Sequence, residues 1–189
     1  MTPDLPRVVH RTPPTPLSWT YEVSPALPMV WRGVVPDSAR RELIGYWHEA
    51  HGSGHGLPSA FADGGVPPAE LVMPPEEYHS AIDHLLFQTA NHFHLPFVLS
   101  SAQSVLARYP TGAGTDWHLD AGKKKSDRRT VAFTMLLSAN FEDGCLETDP
   151  GGPVEMTAGD VCGFTSRTWH RVAPVRSGER FALLAFGGF

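Results

Sequence analysis

A barrel or sandwich of short β-strands of the jelly-roll kind, supported by helices on its N-terminal side, is the fold this sequence predicts, and three observations carry the prediction. From Tyr109 onward the chain breaks into short β-rich stretches separated by Gly, Asp, Asn and Pro: Asp116–Asp120, Arg129–Ser138, Cys145–Thr148, Pro153–Met156, Val161–Thr165, His170–Val175 and Arg180–Phe186. Gly and Pro each occur 18 times in 189 residues, which favours many turns over a helical bundle. Helical periodicity is confined to two stretches, both before residue 96.

The elements follow in order. Residues 1 to about 28 carry Pro3, Pro6, Pro13, Pro14, Pro16, Pro25 and Pro28 with little periodicity and read as an irregular arm. Met29–Val35 has strand character, and Pro36-Asp37-Ser38 then starts a helix over Ala39–Ala50 that buries Leu43, Ile44 and Trp47. His48, His51 and His55 invite a metal reading, but no Cys or further carboxylate follows at ligand spacing, so an exposed helix end is the better account. The Gly-rich tail through Gly65 reads as a mobile loop able to overhang a site. Pro74-Pro75-Glu76-Glu77 opens a second helix with Ile82, Leu85, Leu86 and Ala90 on its apolar face. His79, His84, His92 and His94 read as surface histidines of that helix and its exit loop. Phe97–Tyr109 is extended, with Val98, Val105 and Ala107 pointing inward.

At 189 residues and 41% hydrophobic composition the chain fits one domain: an arm over 1–28, supporting helices over 29–96 and a β core over 97–189. A net charge of −5 argues against nucleic-acid binding. No apolar run approaches the ~18 residues of a membrane span, and Met1–Pro6 lacks the start of an export signal. Cys145 and Cys162 are too few for a disulfide scaffold, read as buried small residues, and fit a reducing cytoplasm.

The chemistry centres on His118-Leu119-Asp120. Side chains two apart on an extended strand share a face, so both can reach one metal. With His170 they form a facial set of two histidines and one carboxylate, which suits non-haem Fe(II) and leaves three coordination positions open. Arg180 lies in a strand with Phe181, Leu183, Leu184 and Phe186, where a guanidinium is costly unless it meets an anion; a dicarboxylate cosubstrate would supply one in bidentate geometry. Trp117 and Trp169 precede their histidines, face the other way, and read as core or outer-sheet packing.

The order Tyr109-x8-His118-x-Asp120, Arg129 opening an apolar strand, Ala158-Gly159-Asp160-Val161, and His170-Arg171-Val172-x-Pro174-Val175-x2-Gly178-x-Arg180 resembles the prolyl-4-hydroxylase-like branch of the Fe(II)/2-oxoglutarate-dependent oxygenases over about Phe97 to Phe186. The resemblance implies a cupin-like double-stranded β-helix with Fe(II) held by His118, Asp120 and His170. It implies that Arg180 binds the distal carboxylate of 2-oxoglutarate, with Tyr109 and Thr134 as further cosubstrate contacts. O2 is the second cosubstrate, and succinate and CO2 are the expected by-products. Gly144-Cys145-Leu146-Glu147-Thr148 departs from the family's usual Gly-Gly-Glu turn, which bears on local strand pairing rather than on the metal site. Related halogenases replace the carboxylate by a small residue; Asp120 is retained here, which favours hydroxylation.

The expected activity is hydroxylation of an unactivated C–H bond in an amino acid, a peptidyl side chain or a small natural product, with a slight tilt to small molecules. Desaturation, cyclisation or demethylation by the same oxidant is the alternative within the class, and a non-catalytic cupin-type metal-binding or sensor module the alternative outside it. Lys123–Arg129 reads equally as a basic lid attracting acidic substrates and as a solvated loop. Substrate identity and oligomeric state are not encoded in any motif.

Overall fold

The computed structural model describes residues 27–58, 68–121 and 128–188, with the side chains of 98–101 excluded. The proline-rich arm up to residue 26, the loop around Gly65 and Lys123–Lys125 of the basic run lie outside these residues.

Among the described residues there are two α-helices and eleven strands. Strand β1 (Met29–Trp31) leads through a turn at Gly33 into α1 (Asp37–Gly52). Pro36 is extended and fixes the entry, while Asp37 in the first turn pairs with Arg40 and, at 3.5 Å, with Arg41. Strand β2 (Glu70–Val72) precedes a 3-10 turn at Glu76–Tyr78 and α2 (His79–His92). The long β3 (Val98–Tyr109) and then β4 (Arg129–Leu136), β5 (Phe141–Asp143), β6 (Leu146–Asp149), β7 (Gly152–Val154), β8 (Val161–Thr165), β9 (Trp169–Val172), β10 (Val175–Gly178) and β11 (Arg180–Gly188) complete the chain.

The strands pair as a six-stranded sheet in the order β1-β8-β4-β11-β3-β2, a three-stranded sheet β7-β6-β9 and a two-stranded sheet β10-β5. Side chains alternate across the large sheet with the period of two that strands impose. Leu106, Val131, Phe133, Val161, Phe181, Leu183 and Ala185 face the helices, where they meet Leu43 and Trp47 of α1 and Ile82, Leu86 and Ala90 of α2. The opposite face carries Ala132, Cys162, Phe164 and Phe186 against Leu146 of β6, and Ala107 and Tyr109 against Val172 and Val175 of the smaller sheets. The result is the expected mainly β, jelly-roll core with its supporting helices on one side.

Four expectations change. Asp116–Asp120 is not a strand; it is an irregular segment with one isolated bridge, His118 to His170. The first strand stops at Trp31, because the chain turns at Gly33 to let Asp160 receive the Gly33 N–H and the Arg32 guanidinium. His170–Val175 is two strands, since Pro174 has no N–H to donate and the chain passes from one small sheet to the other there. Cys162 is buried, but Cys145 is only half-buried, with its thiol 3.8 Å from a Glu147 carboxylate oxygen.

Asp160 ties the N-terminal turn to the β core. Burial alone would push its carboxyl up, but N–H groups of Thr157 and Gly33, the Arg32 guanidinium and the Thr157 hydroxyl hold it at about 2. Asp160→Ala removes these bonds to a buried carboxylate and is expected to cost about 1–3 kcal/mol in urea unfolding. A loss below about 0.5 kcal/mol would remove this role.

Candidate metal and cosubstrate site

The site forms where the segment 115–121 crosses the mouth of the sandwich. Thr115 N–H donates to the Val172 carbonyl at 2.9 Å, and Val172 N–H donates to Thr115 Oγ1 at 2.8 Å. His118 and His170 exchange backbone hydrogen bonds of 3.0 and 3.1 Å, and Ala121 N–H reaches the Ser166 carbonyl at 3.0 Å. The segment is thus held by β9 and the turn before it, without being a strand.

This anchoring brings together the three residues singled out from the sequence. His118 Nε2 lies 3.8 Å from Asp120 Oδ1, and His170 Nε2 lies 3.6 Å from Asp120 Oδ2. Ligand atoms of all three fall within 4.8 Å of one another, and no other group of three His, Cys, Asp or Glu among the described residues is so arranged. Donor pairs on a cation with bonds of about 2.1 Å sit roughly 3 Å apart in octahedral geometry, so closure draws the two histidines towards Asp120 by under about 1 Å and the widest donor pair together by up to roughly 2 Å. Both ring orientations are set from behind: His118 Nδ1 is 2.7 Å from the Asp116 carbonyl and His170 Nδ1 is 2.9 Å from the Thr168 carbonyl. A carbonyl only accepts, so the Nδ1 atoms carry the protons and the Nε2 lone pairs face Asp120.

The electrostatics suit a cation. Burial pushes the Asp120 carboxyl up to about 6, against the lowering pull of His118 and Arg129. Burial also holds His170 down at about 4, against its Thr168 hydrogen bond, and depresses His118, where the neighbouring His170 adds to the effect. The stability consequences oppose each other. Asp120, raised from 3.8, costs the metal-free fold stability as pH rises to about 6; His170, lowered from 6.5, adds stability as pH rises from about 4. For metal uptake they do not cancel, because His170 is neutral above about pH 4 while a proton competes for Asp120 up to about pH 6. Divalent-metal affinity is expected to be flat above about pH 6.5 and to fall towards tenfold per pH unit below about 6. A titration from pH 5 to 8 checks this; an affinity independent of pH would contradict it.

Behind the triad lies a narrow cavity of about 30 Å³ whose walls include Tyr109, Thr115, Thr134, Phe164, Leu184 and Phe186. It admits a water-sized guest and must widen by side-chain rotation to take a diacid. Asp120 Oδ2, Thr134 Oγ1 and Arg180 Nη1 are buried without a hydrogen-bond partner among the described residues. Asp120 and Thr134 line the cavity and Arg180 bears on its Tyr109 wall, an arrangement that suits an anionic, polar guest and a cation. Arg180 is 2% exposed, pairs in register with Tyr109 across β11 and β3, and has its guanidinium carbon 5.0 Å from the tyrosine ring. Burial pushes the Tyr109 phenol up and Arg180 pulls it down.

Sequence reasoning missed Thr115, which fixes the crossing segment, and Phe164, whose ring lies 4.6 Å from that of His170. Phe164 shares strand parity with Cys162, which was a readable signal; Thr115 had none. Trp117 and Trp169 point away from the triad as their positions require, but they are not packed: they are 41% and 46% exposed, because nothing described covers that face. His48, His51, His55, His79, His84, His92 and His94 are exposed. Of these, His51 stacks on Trp47 at 4.5 Å.

Residues 104–187 match the 2OG-Fe(II) oxygenase superfamily model. A PKHD-type hydroxylase of Synechococcus sp. (strain CC9605) is 31% identical over 88 residues, 43% of this chain and 40% of that protein. One from Parvibaculum lavamentivorans is 34% identical over 87 residues, with the same coverage. These matches span about two fifths of the relatives' length. Among solved structures, a Pseudomonas putida prolyl-4-hydroxylase superposes with a TM-score of 0.69 at 23% identity, covering 85% of this chain and 91% of that one. A Trichoplax adhaerens prolyl hydroxylase bound to a hypoxia inducible factor peptide gives 0.68 at 17%, covering 85% and 83%. Every residue of the triad and its cavity lies inside the matched segment, and the fold is shared with these solved structures, so residues 104–187 are similar to the 2OG-Fe(II) oxygenase superfamily.

Proposed function

We propose that this chain is a 2-oxoglutarate-dependent dioxygenase that hydroxylates an unactivated C–H bond, with His118, Asp120 and His170 as Fe(II) ligands. The observation that carries this is the convergence of the triad on a cavity also lined by Thr134 and Tyr109, with Arg180 bearing on the tyrosine ring, where Asp120 Oδ2, Thr134 Oγ1 and Arg180 Nη1 have no hydrogen-bond partner among the described residues. When bound, Fe(II) supplies the chemistry that couples oxidation of 2-oxoglutarate by O2, giving succinate and CO2, to insertion of one oxygen atom into the substrate.

The chain's own residues do the rest. The Nδ1 hydrogen bonds hold both imidazoles with Nε2 inward. Arg180 offers a guanidinium fork to the distal carboxylate of 2-oxoglutarate, and Tyr109 and Thr134 offer hydroxyl groups along the cavity wall. Phe164, Leu184 and Phe186 keep water from the reacting centre.

The PKHD-type and prolyl hydroxylases among its relatives support hydroxylation, and the peptide held by the Trichoplax enzyme supports a peptidyl or amino-acid substrate. No helix among the described residues is long and apolar enough to cross a membrane, and two free cysteines fit a reducing cytoplasm. Helices α1 and α2 buttress the β core as parts of a single domain. A screen of amino acids and short peptides for stimulated succinate release, followed by product mass, tests the reading. A gain of one oxygen supports it; a loss of two hydrogens replaces hydroxylation by desaturation.

A further inference from the structure

Beside the metal triad lies an aromatic face that the chemistry above does not use. Trp117 and Trp169 immediately precede His118 and His170, which form a bridge, so the two indoles flank that bridge on its outer side. With Thr148, Asp149, Gly151 and Gly152 they line an open groove of about 510 Å³. Large exposed aromatic side chains grouped on one face mark binding surfaces more often than chance.

One half of this face already holds a cation. The Arg171 guanidinium carbon lies 5.1 Å from the Trp117 ring centroid, and Arg171 Nε donates to Glu147 Oε2 at 2.6 Å. Glu147 and Arg171 are register partners on β6 and β9. Two residues along the same ladder, and therefore on the same face, the next outward pair is Asp149 and Trp169. Carboxylate and indole recur there, but among the described residues Asp149 makes no ion pair and no cation lies over Trp169. Gly151 and Gly152, with φ of 135° and 72°, leave the adjoining wall bare, and a Cβ at Gly151 would come within 2.5 Å of Thr148 Oγ1.

We propose that the Trp169–Asp149 half of the groove binds a cationic group of the substrate, an ammonium or guanidinium on a flexible side chain. The cation lies on the indole face and donates to Asp149, repeating the Trp117–Arg171–Glu147 arrangement with a ligand in place of the arginine. Its role as a substrate subsite rests on the oxygenase reading; the binding itself does not. The groove lies beside the His118–His170 bridge, next in sequence to both histidines of the triad.

The test is calorimetric titration with a capped pentapeptide carrying a central lysine and with its norleucine analogue. It is run on the protein alone, and again with Fe(II) and 2-oxoglutarate without oxygen. Binding is read without turnover, so the result is independent of whether the protein forms succinate. The lysine peptide is expected to bind at least about fivefold tighter than the norleucine peptide. Asp149→Asn and Trp169→Ala, both at exposed positions, should each reduce that ratio to within about twofold while leaving the circular dichroism spectrum unchanged. A ratio near one in the unsubstituted protein, including no measurable binding of either peptide, overturns the proposal. So does a ratio that survives either substitution.

Discussion

Replacing Asp120 with alanine is expected to lower kcat/KM for substrate oxidation by at least about a thousandfold, because it removes the only anionic donor of the triad. The loss should not come from unfolding. In the metal-free protein Asp120 is a buried carboxyl raised to about 6, with Oδ2 lacking a hydrogen-bond partner among the described residues, so at neutral pH its charge opposes folding. Asp120→Asn is expected to stabilise the metal-free form by on the order of 1–3 kcal/mol while abolishing turnover. Lower activity accompanied by higher melting temperature is the signature of a ligand; full activity after either substitution would remove the basis of the metal assignment.

The second large effect is expected at Arg180. Its guanidinium is 2% exposed, bears on the Tyr109 ring, and has an Nη1 with no hydrogen-bond partner among the described residues. A buried cation in that state is costly until an anion arrives. Arg180→Ala should raise the 2-oxoglutarate concentration needed for half-maximal succinate formation by about 30-fold to 1000-fold while leaving Fe(II) bound. Arg180→Lys should recover only part of the loss, since a point charge lacks the two-pronged fork. An unchanged 2-oxoglutarate requirement would point to a metal-binding module whose arginine is structural.

How much of this was readable in the sequence varied with the physics involved. The triad was legible because His118, Asp120 and His170 are chemically specific residue types in a recognisable order. The reason they converge was not, since residues 115–121 are held by hydrogen bonds to Thr115, Val172, His170 and Ser166 rather than by strand pairing. Strand parity turns Trp169 away from the metal and the His118–His170 bridge sets Trp117 beside it, but neither says what covers that face, and both indoles are exposed. Helices α1 and α2 declared themselves through apolar spacing, with Leu43, Trp47, Ile82, Leu86 and Ala90 buried as expected. Strands β2 and β5, three residues each, carry too few alternations to be seen without their partners β3 and β10. The three orphaned atoms at Asp120, Thr134 and Arg180 are visible only in three dimensions, and they give the residue pattern its chemical direction.

The central claim is that these residues couple 2-oxoglutarate oxidation to O2 at an iron centre. It is tested most directly by measuring succinate formed from 2-oxoglutarate by purified protein with and without Fe(II), and in air against argon. The account predicts succinate only when iron, 2-oxoglutarate and O2 are all present, and none from the Asp120→Ala protein. Intact Fe(II) binding with no succinate under any of these conditions, with the candidate substrates included, would contradict it.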